Sequence, residues 1–205
     1  SQKDLYSHYP KNQLGRVYAH IGELDAALDV LSGELNDEGK AIYNEVKKLS
    51  EASKVVAPGV ATKVNEIVIS CPPQGMYEWD EELEKTQGMG GSEMAAIRLA
   101  RELHNLTGMK VRIFNNRTER KDLDGVIYHP ASEVVGYMRD FEPKIHIAWR
   151  HNVKITHAPT YLWSHDLACL GMEKHENYDG VLVLSEFHKN FVRGMFPMIP
   201  DEKLI

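Results

Sequence analysis

The stretch QGMGGSEMAAIRLARELHNL, residues 87–106, decides the fold of this 205-residue chain. Glycines at positions 88, 90 and 91 come directly before apolar residues that share one face of a predicted helix: Ala96, Leu99, Ala100 and Leu103. We expect Ser92 to cap this helix and Glu93 to face the positive end of its dipole. Free N–H groups at such a turn favour an anion, so the candidate phosphate-binding residues are Gly90, Gly91, Ser92 and Glu93. The competing interpretation is a plain turn without a ligand.

Composition places the chain among globular proteins. Hydrophobic residues make up 42% and charged residues 26%, and the net charge of −6 implies no broad basic surface for nucleic acid. Cys71 and Cys169 lie far apart in sequence, which fits a reducing compartment, and we expect a cytoplasmic protein. No apolar run is long enough to predict a transmembrane segment.

The first 57 residues are predicted to be helical. The stretch NQLGRVYAHIGELDAALDVL from position 12 resembles one tetratricopeptide repeat, in which Leu14, Gly15, Tyr18, Ala27 and Leu31 take the repeat's small and large positions. Lys11 stands where the repeat has an aromatic residue, and Gly39 where it has a proline. A third helix is predicted from position 38 to 52, and residues 53–63 read as a connector.

Residues 64–205 alternate short apolar strands with helices. Strands are predicted at 66–70, 110–114, 125–128, 144–148, 160–163 and 180–184, and helices, besides the one after the glycine turn, at 133–141 and 186–194. Residues 71–88 are predicted to be a long loop. Such alternation favours an α/β fold with a Rossmann-like parallel sheet and helices on both faces, in which ligands bind at the carboxyl ends of the strands.

Polar residues directly after the predicted strands are therefore the other candidate site residues. His165 and Asp166 follow one strand and are candidate catalytic residues, since an imidazole beside a carboxylate can orient a hydroxyl or hold a proton. Arg150, which could clamp a phosphate or a carboxylate, and its neighbour His151 follow another strand. A histidine that only bonds across its loop, and an arginine that is only solvated, are the competing interpretations.

Three other kinds of site are weighed and set aside. A dinucleotide fingerprint is incomplete, because Glu93 stands where its third glycine should be and the second strand ends in Asn115 and Asn116 rather than an acid. No P-loop motif occurs. We expect no metal, because the nearest set of metal-binding residue types matches no compact zinc spacing: His165, Asp166, Cys169 and His175.

The stretch GMGGSEMAAIRLARELHNLTGMKVRIF resembles the first loop and helix of retaining glycosyltransferases of the GT-B fold, of the family 4-like kind. The matching residues are Gly90, Gly91, Glu93, Leu99, Ala100, Leu103, Gly108 and Val111, whereas Met109 replaces the usual histidine. YLWSHD and YDGVLVLSEFHKNF are similar to later segments of the same amino-terminal domain, and the second of these makes Ser185 a further acceptor-side candidate beside Arg150 and His151.

The resemblance implies a hexosyltransferase-like enzyme that transfers a sugar from a UDP- or GDP-linked donor to a sugar, lipid or protein acceptor, with retention and without a cofactor. Gly90 and Gly91 would approach the donor diphosphate, and His165 the transferring sugar. Most donor contacts would come from a second, carboxy-terminal α/β domain that these 205 residues do not include, so we expect this chain alone to be inactive. Two alternatives stay open: a non-catalytic interaction module with a degenerate α/β domain, and a different α/β enzyme acting on phosphorylated small molecules.

Overall fold

The computed structural model describes residues 27–29, 31, 32, 40, 43, 44, 47, 61–71, 77–150, 155–165, 167 and 172–205. The chain forms two compact units, Ser1–Ala57 and Pro58–Ile205. In the first unit Ala27, Leu28 and Asp29 are helical, and Ala27 and Leu31 are buried. The other residues on which the tetratricopeptide resemblance depends, Leu14, Gly15 and Tyr18, lie outside the described residues, so that resemblance stays a prediction.

The second unit is built on a parallel sheet. Its six strands are β2 (Glu66–Ser70), β3 (Lys110–Leu123), β4 (Val126–Pro130), β6 (Ile145–Trp149), β7 (Thr160–Trp163) and β8 (Gly180–Leu182). They lie in the order β4-β3-β2-β6-β7-β8. The chain forms the central strand β2 first, adds β3 and β4 on one side of it, and then crosses to add β6, β7 and β8 on the other side. The direction of winding therefore reverses between β2 and β6. The prediction of an α/β fold with a parallel sheet is confirmed. A separate pair joins β1 (Thr62–Lys63) to β5 (Phe141–Glu142).

Helices cover both faces of this sheet. They are α1 (Glu81–Thr86), α2 (Gly91–Thr107), α3 (Val134–Asp140) and α4 (Glu186–Met195), with short 3-10 segments at Ala131–Glu133, Met172–Asn177 and Asp201–Lys203. On one face α2 packs its buried residues Ala96, Ile97 and Ala100 against the sheet. On the other face, Met138 of α3 and Val192 of α4 pack against the sheet. No described helix has the length and apolar content needed to cross a membrane.

Strand β2 shows why the sheet is two-sided. Ile67 and Ile69 pack towards α2, whereas Val68 packs with Phe114 and Met138 on the opposite face. Because consecutive side chains of a strand point to opposite faces, an unbroken apolar strand such as EIVIS must be covered on both. The sequence pattern in this strand thus predicts its central position.

Two predictions for this unit are wrong in detail. The segment 71–88 is not all loop, since it contains α1, which begins after the buried N-cap Asp80. Strand β3 does not end at position 114 but continues to Leu123 and returns through a tight turn at Asp124 and Gly125 to pair with β4. Both turn residues have positive φ, 49° and 89°, the conformation that two-residue hairpin turns use. The turn residues Asp-Gly were the sequence signal for this reversal.

A charged network ties the start of β2 to its neighbours. Arg112 donates two hydrogen bonds to Glu66, at 2.6 and 3.0 Å, and a third at 3.0 Å to Nε2 of His129 on β4. The Tyr137 hydroxyl of α3 also donates to Glu66. Burial alone raises the pKa of Glu66, but these hydrogen bonds and the Arg112 charge outweigh it, so the pKa lies below its ordinary value. The network thus joins β2, β3 and α3 at the Glu66 carboxylate and reaches β4 through Arg112.

We predict that Arg112→Ala lowers the free energy of unfolding by about 2–4 kcal/mol, because it leaves the largely buried Glu66 carboxylate without its cation. The matched control is Arg98→Ala, which breaks the ion pair between Arg98 and Glu84. Because the Arg98 side chain is 70% exposed, this substitution should lower the free energy of unfolding by less than about 1 kcal/mol. Urea unfolding of both variants at pH 7 measures the difference. Equal losses in the two variants would show that the network does not hold the strands together.

Candidate functional site

The glycine turn lies at the start of α2. This helix begins at Gly91 with Gly90 as its N-cap, so the prediction that Ser92 caps the helix is wrong. The Glu93 carboxylate folds back over Gly90, with Oε2 only 2.2 Å from where a β-carbon on Gly90 would lie. A glutamate at the third helical position commonly reaches back to the N-cap in this way. A side chain at position 90 would displace the end of the Glu93 side chain from this position.

Ser92 is held from the other side of the crevice between β2 and β6. Arg150 follows directly after β6, and its Nη2 donates a hydrogen bond of 2.9 Å to Ser92 Oγ. Arg150 has a φ of 59°, the left-handed region that residues with a side chain rarely adopt. The structure thus joins two sequence-predicted candidates, Ser92 and Arg150, across the point where the winding of the sheet reverses. This is where doubly wound sheets bind ligands.

The segment before the glycine turn is anchored to the middle of β3. Asp80 is completely buried; its carboxylate accepts hydrogen bonds from the N–H groups of Glu82 and Leu83, at 2.8 and 2.9 Å, and one from Arg117 at 3.1 Å. Asn115 donates to the carbonyl oxygen of Trp79 at 2.9 Å. From this anchor, α1 leads to α2, to which it is bound by ion pairs of Glu81 and Glu84. The position of the glycine turn is therefore fixed from both ends.

Aromatic side chains connect Arg150 to His165. The Arg150 guanidinium lies 5.1 Å from the centre of the Trp149 ring. Trp149 makes an edge contact with His165 at 5.5 Å, and Trp163 makes another at 4.1 Å. His165 is half-buried two residues after the end of β7, and these two indoles restrict its orientation. A continuous line of contacts thus runs from Ser92 through Arg150 and Trp149 to His165.

The charges near Cys71 support the same geometry. Burial raises the pKa of this thiol, the negative charge of Glu93 raises it further, and the positive charge of Arg150 lowers it. Cys71 comes directly after β2, so Glu93 and Arg150 both lie near the carboxyl end of that strand. The crevice therefore holds one carboxylate and one guanidinium beside the backbone of the glycine turn.

The remaining candidate site residues either have a structural role or lie outside the described residues. Ser185 is exposed three residues after β8 and accepts a hydrogen bond from the His188 N–H at 3.2 Å, so it caps α4. His151 and Asp166 lie outside the described residues, as does Cys169. Within the described part of the chain, no three histidine, cysteine or acidic side chains gather as metal ligands would.

Sequence reasoning missed the tryptophans. All three in the chain, Trp79, Trp149 and Trp163, are buried in one cluster beneath the crevice. Trp79 and Trp149 meet at 6.0 Å in an edge contact. Their positions in the sequence could have predicted this cluster, because Trp149 and Trp163 are the last residues of neighbouring strands and share the face on which Ile67 lies. It also missed the buried hydrogen bond of 2.7 Å between Ser70 and His146 on adjacent strands.

Comparison of the chain with protein-family models, curated proteins and solved structures found no match in any of the three.

We predict opposite effects of alanine at two glycines. Gly91→Ala should leave stability unchanged or raise it by up to about 1 kcal/mol, because no atom lies within 4 Å of the new β-carbon and alanine favours a helix. Gly125→Ala should cost about 2–4 kcal/mol, because φ is positive there and the β-carbon would lie 2.2 Å from the His104 ring, which Met109 holds by a hydrogen bond. Thermal unfolding measures both. A large loss for Gly91→Ala would contradict the open turn.

Proposed function

We propose that this chain supplies the acceptor-side domain of a GT-B-type glycosyltransferase that uses a UDP- or GDP-linked sugar in the cytoplasm. The donor diphosphate binds over Gly90 and Gly91, and the acceptor hydroxyl approaches beside His165. The glycine-turn resemblance suggests this family. One structural observation carries the proposal: Arg150 reaches Ser92 across the crevice, which places a guanidinium beside the bare start of a 17-residue helix.

The chemistry of transfer suits these groups. The bond between the anomeric carbon and the diphosphate oxygen breaks, a bond to the acceptor oxygen forms, and negative charge grows on the leaving diphosphate. Backbone N–H groups at a helix start and a guanidinium stabilise such a charge because they are already oriented when it develops. The acceptor hydroxyl must also lose its proton, and an imidazole at the rim can orient that hydroxyl. His165 is therefore assigned to the acceptor.

The position of Glu93 supports a second candidate function, a non-catalytic interaction module. Its carboxylate lies over Gly90, so a diphosphate at that position would meet a negative charge unless the side chain turned away. A domain whose glycine turn is occupied by its own glutamate would fit a non-catalytic interaction module. The two functions differ in whether a nucleotide diphosphate binds at the turn, and the first test below measures that directly.

Nucleotide-sugar binding should depend on Gly91. Because most donor contacts would lie on a second domain, this chain should bind UDP- or GDP-sugars only in the millimolar range. Losing ~4 kcal/mol of binding free energy from those contacts weakens binding about a thousandfold. Gly91→Val should weaken that binding at least about tenfold by placing a branched side chain where the phosphate approaches. Gly88→Val is the matched control, because Gly88 is also exposed and open but lies before the helix. Titration followed by NMR measures all three proteins.

Equal binding by Gly91→Val and the unaltered chain would remove the turn from the donor site. No binding at millimolar concentration would favour the interaction module. Micromolar binding or turnover by the chain alone would contradict the two-domain enzyme and favour a complete α/β enzyme of another kind.

His165 should affect turnover more than stability. In the complete transferase, His165→Ala should lower turnover about 10²-fold or more, the usual effect of losing a positioned acid–base group. His188→Ala is the control, because His188 is a buried residue that accepts a hydrogen bond from the Leu184 N–H at 3.3 Å. That variant should melt at a lower temperature and keep its activity per folded molecule. Turnover and melting temperature are measured on one preparation of each variant. If His165→Ala melts at a lower temperature but keeps its activity per folded molecule, His165 is a structural residue.

A further inference from the structure

The imidazole of His129 lies between two charged side chains on the face of the sheet that α3 covers. Nη1 of Arg112 approaches its Nε2 at 3.0 Å, and Oε2 of Glu133 lies 3.0 Å from its Nδ1. His129 is the fourth residue of β4 and is only 5% exposed. Its ring stacks on Phe114 of β3, with the ring centres 4.7 Å apart. The imidazole is thus held in place with a cation at one nitrogen and an anion at the other.

These two partners decide which nitrogen of His129 carries the proton. A guanidinium can only donate, so Nε2 must accept the hydrogen bond from Arg112 and carries no proton. A carboxylate can only accept, so Nδ1 carries the proton and donates it to Glu133. Both hydrogen bonds therefore require the neutral imidazole. A second proton, on Nε2, would turn two N–H groups towards each other and end the bond to Arg112.

The surroundings of His129 oppose this second proton. Burial lowers the pKa of His129 below its ordinary value, and the positive charges of Arg112 and Arg120 lower it further, whereas the Glu133 carboxylate raises it. The Glu133 side chain is 53% exposed, so water weakens its attraction for a charged imidazole. The folded protein therefore favours the neutral ring.

Arg112 cannot turn away from His129 without losing its other partners. It donates two hydrogen bonds to Glu66, at 2.6 and 3.0 Å, and its guanidinium lies 4.9 Å from the centre of the Tyr137 ring. Tyr137 is the α3 residue that faces His129, with the ring centres 6.4 Å apart, and its hydroxyl donates to Glu66. Because Arg112 is held in this way, a protonated His129 must itself move to relieve the repulsion.

We propose that His129 is an acid-sensitive switch between β3 and the segment that leads into α3. At neutral pH the imidazole joins Arg112 of β3 to Glu133 of the 3-10 segment Ala131–Glu133. In mildly acidic solution a proton from the solvent adds to Nε2, the hydrogen bond to Arg112 breaks, and the charged ring keeps only Glu133. The end of β4 then loses its hydrogen bond to the Arg112 side chain. This switch does not depend on the proposed glycosyl transfer.

The switch makes stability depend on pH. An unfolded chain binds a proton at a histidine near pH 6.5, whereas the folded chain resists protonation of His129, so below that pH the unfolded state holds more protons. The stability that neutral His129 contributes above about pH 6.5 is therefore lost as the pH falls from there through the pKa of the folded protein.

Urea unfolding at about pH 7.5 and about pH 5.5 measures this loss, because the lower pH is still above the range in which ordinary carboxylates titrate. The comparison variant is His129→Gln, whose side-chain amide can accept from Arg112 and donate to Glu133 at either pH. It should lose less stability between the two pH values than the unaltered protein.

An NMR titration of the histidine ring protons tests the switch directly. In the unaltered protein His129 should titrate below about pH 6.5. Glu133→Gln should lower this midpoint further, because it removes the carboxylate that favours the charged ring, and Arg112→Met should raise it, because it removes the opposing cation. His104 of α2, on the opposite face of the sheet, is the internal control, and neither substitution should move its midpoint.

Opposite movements of the His129 midpoint in the two variants support the switch. A midpoint at or above about pH 6.5 in the unaltered protein overturns it, because the folded protein would then accept the second proton readily. Equal losses of stability in His129→Gln and the unaltered protein overturn it as well. Thermal unfolding at about pH 7.5 shows whether Arg112→Met is folded. If it is not, the test rests on Glu133→Gln, which alters an exposed side chain, and an unchanged midpoint there overturns the proposal.

Discussion

The buried carboxylate of Asp80 is the constraint on which the site depends. An ionised carboxylate inside a protein must be paired, and this one is satisfied by two backbone N–H groups of α1 and by Arg117 in the middle of β3. Together with the hydrogen bond from Asn115 to the Trp79 carbonyl oxygen, it holds the long connection from β2 to the glycine turn in one place. Because the carboxylate cannot leave its partners without a large cost, α1 has a fixed start, and α2 follows from it.

The sequence predicts the elements that follow local patterns and misses those that depend on contacts between distant residues. Strands such as EIVIS and the helix after the glycines are local patterns, repeated every two or every 3.6 residues, and they were predicted within a few positions. Helix α1 was not, because EELEKT has no buried residue and so shows no apolar period. Its N-cap Asp80 is a local signal, but the pairing of Asp80 with Arg117 joins residues 37 positions apart.

The site shows a similar division. Gly90, Gly91 and Arg150 could be chosen because a parallel sheet brings the residues after its strands to one edge, so strand predictions alone place them together. The Arg150–Ser92 hydrogen bond and the tryptophan contacts of His165 depend on side-chain orientation, which spacing does not determine. Ser92 was assigned to the helix cap from residue preference alone. In the structure Gly90 is the N-cap, and the Ser92 hydroxyl accepts a hydrogen bond from Arg150 instead.

The left-handed backbone at Arg150 has an energetic consequence of its own. A residue with a β-carbon costs roughly 1–2 kcal/mol more there than glycine would, so the folded chain holds this arginine against a conformational preference. Selection for stability alone would replace it with glycine or asparagine, and the guanidinium in the crevice would be lost. Stability and the positive charge are thus in opposition at this one position. A laboratory search for more thermostable variants would tend to select against the group that the proposed glycosyl transfer would use.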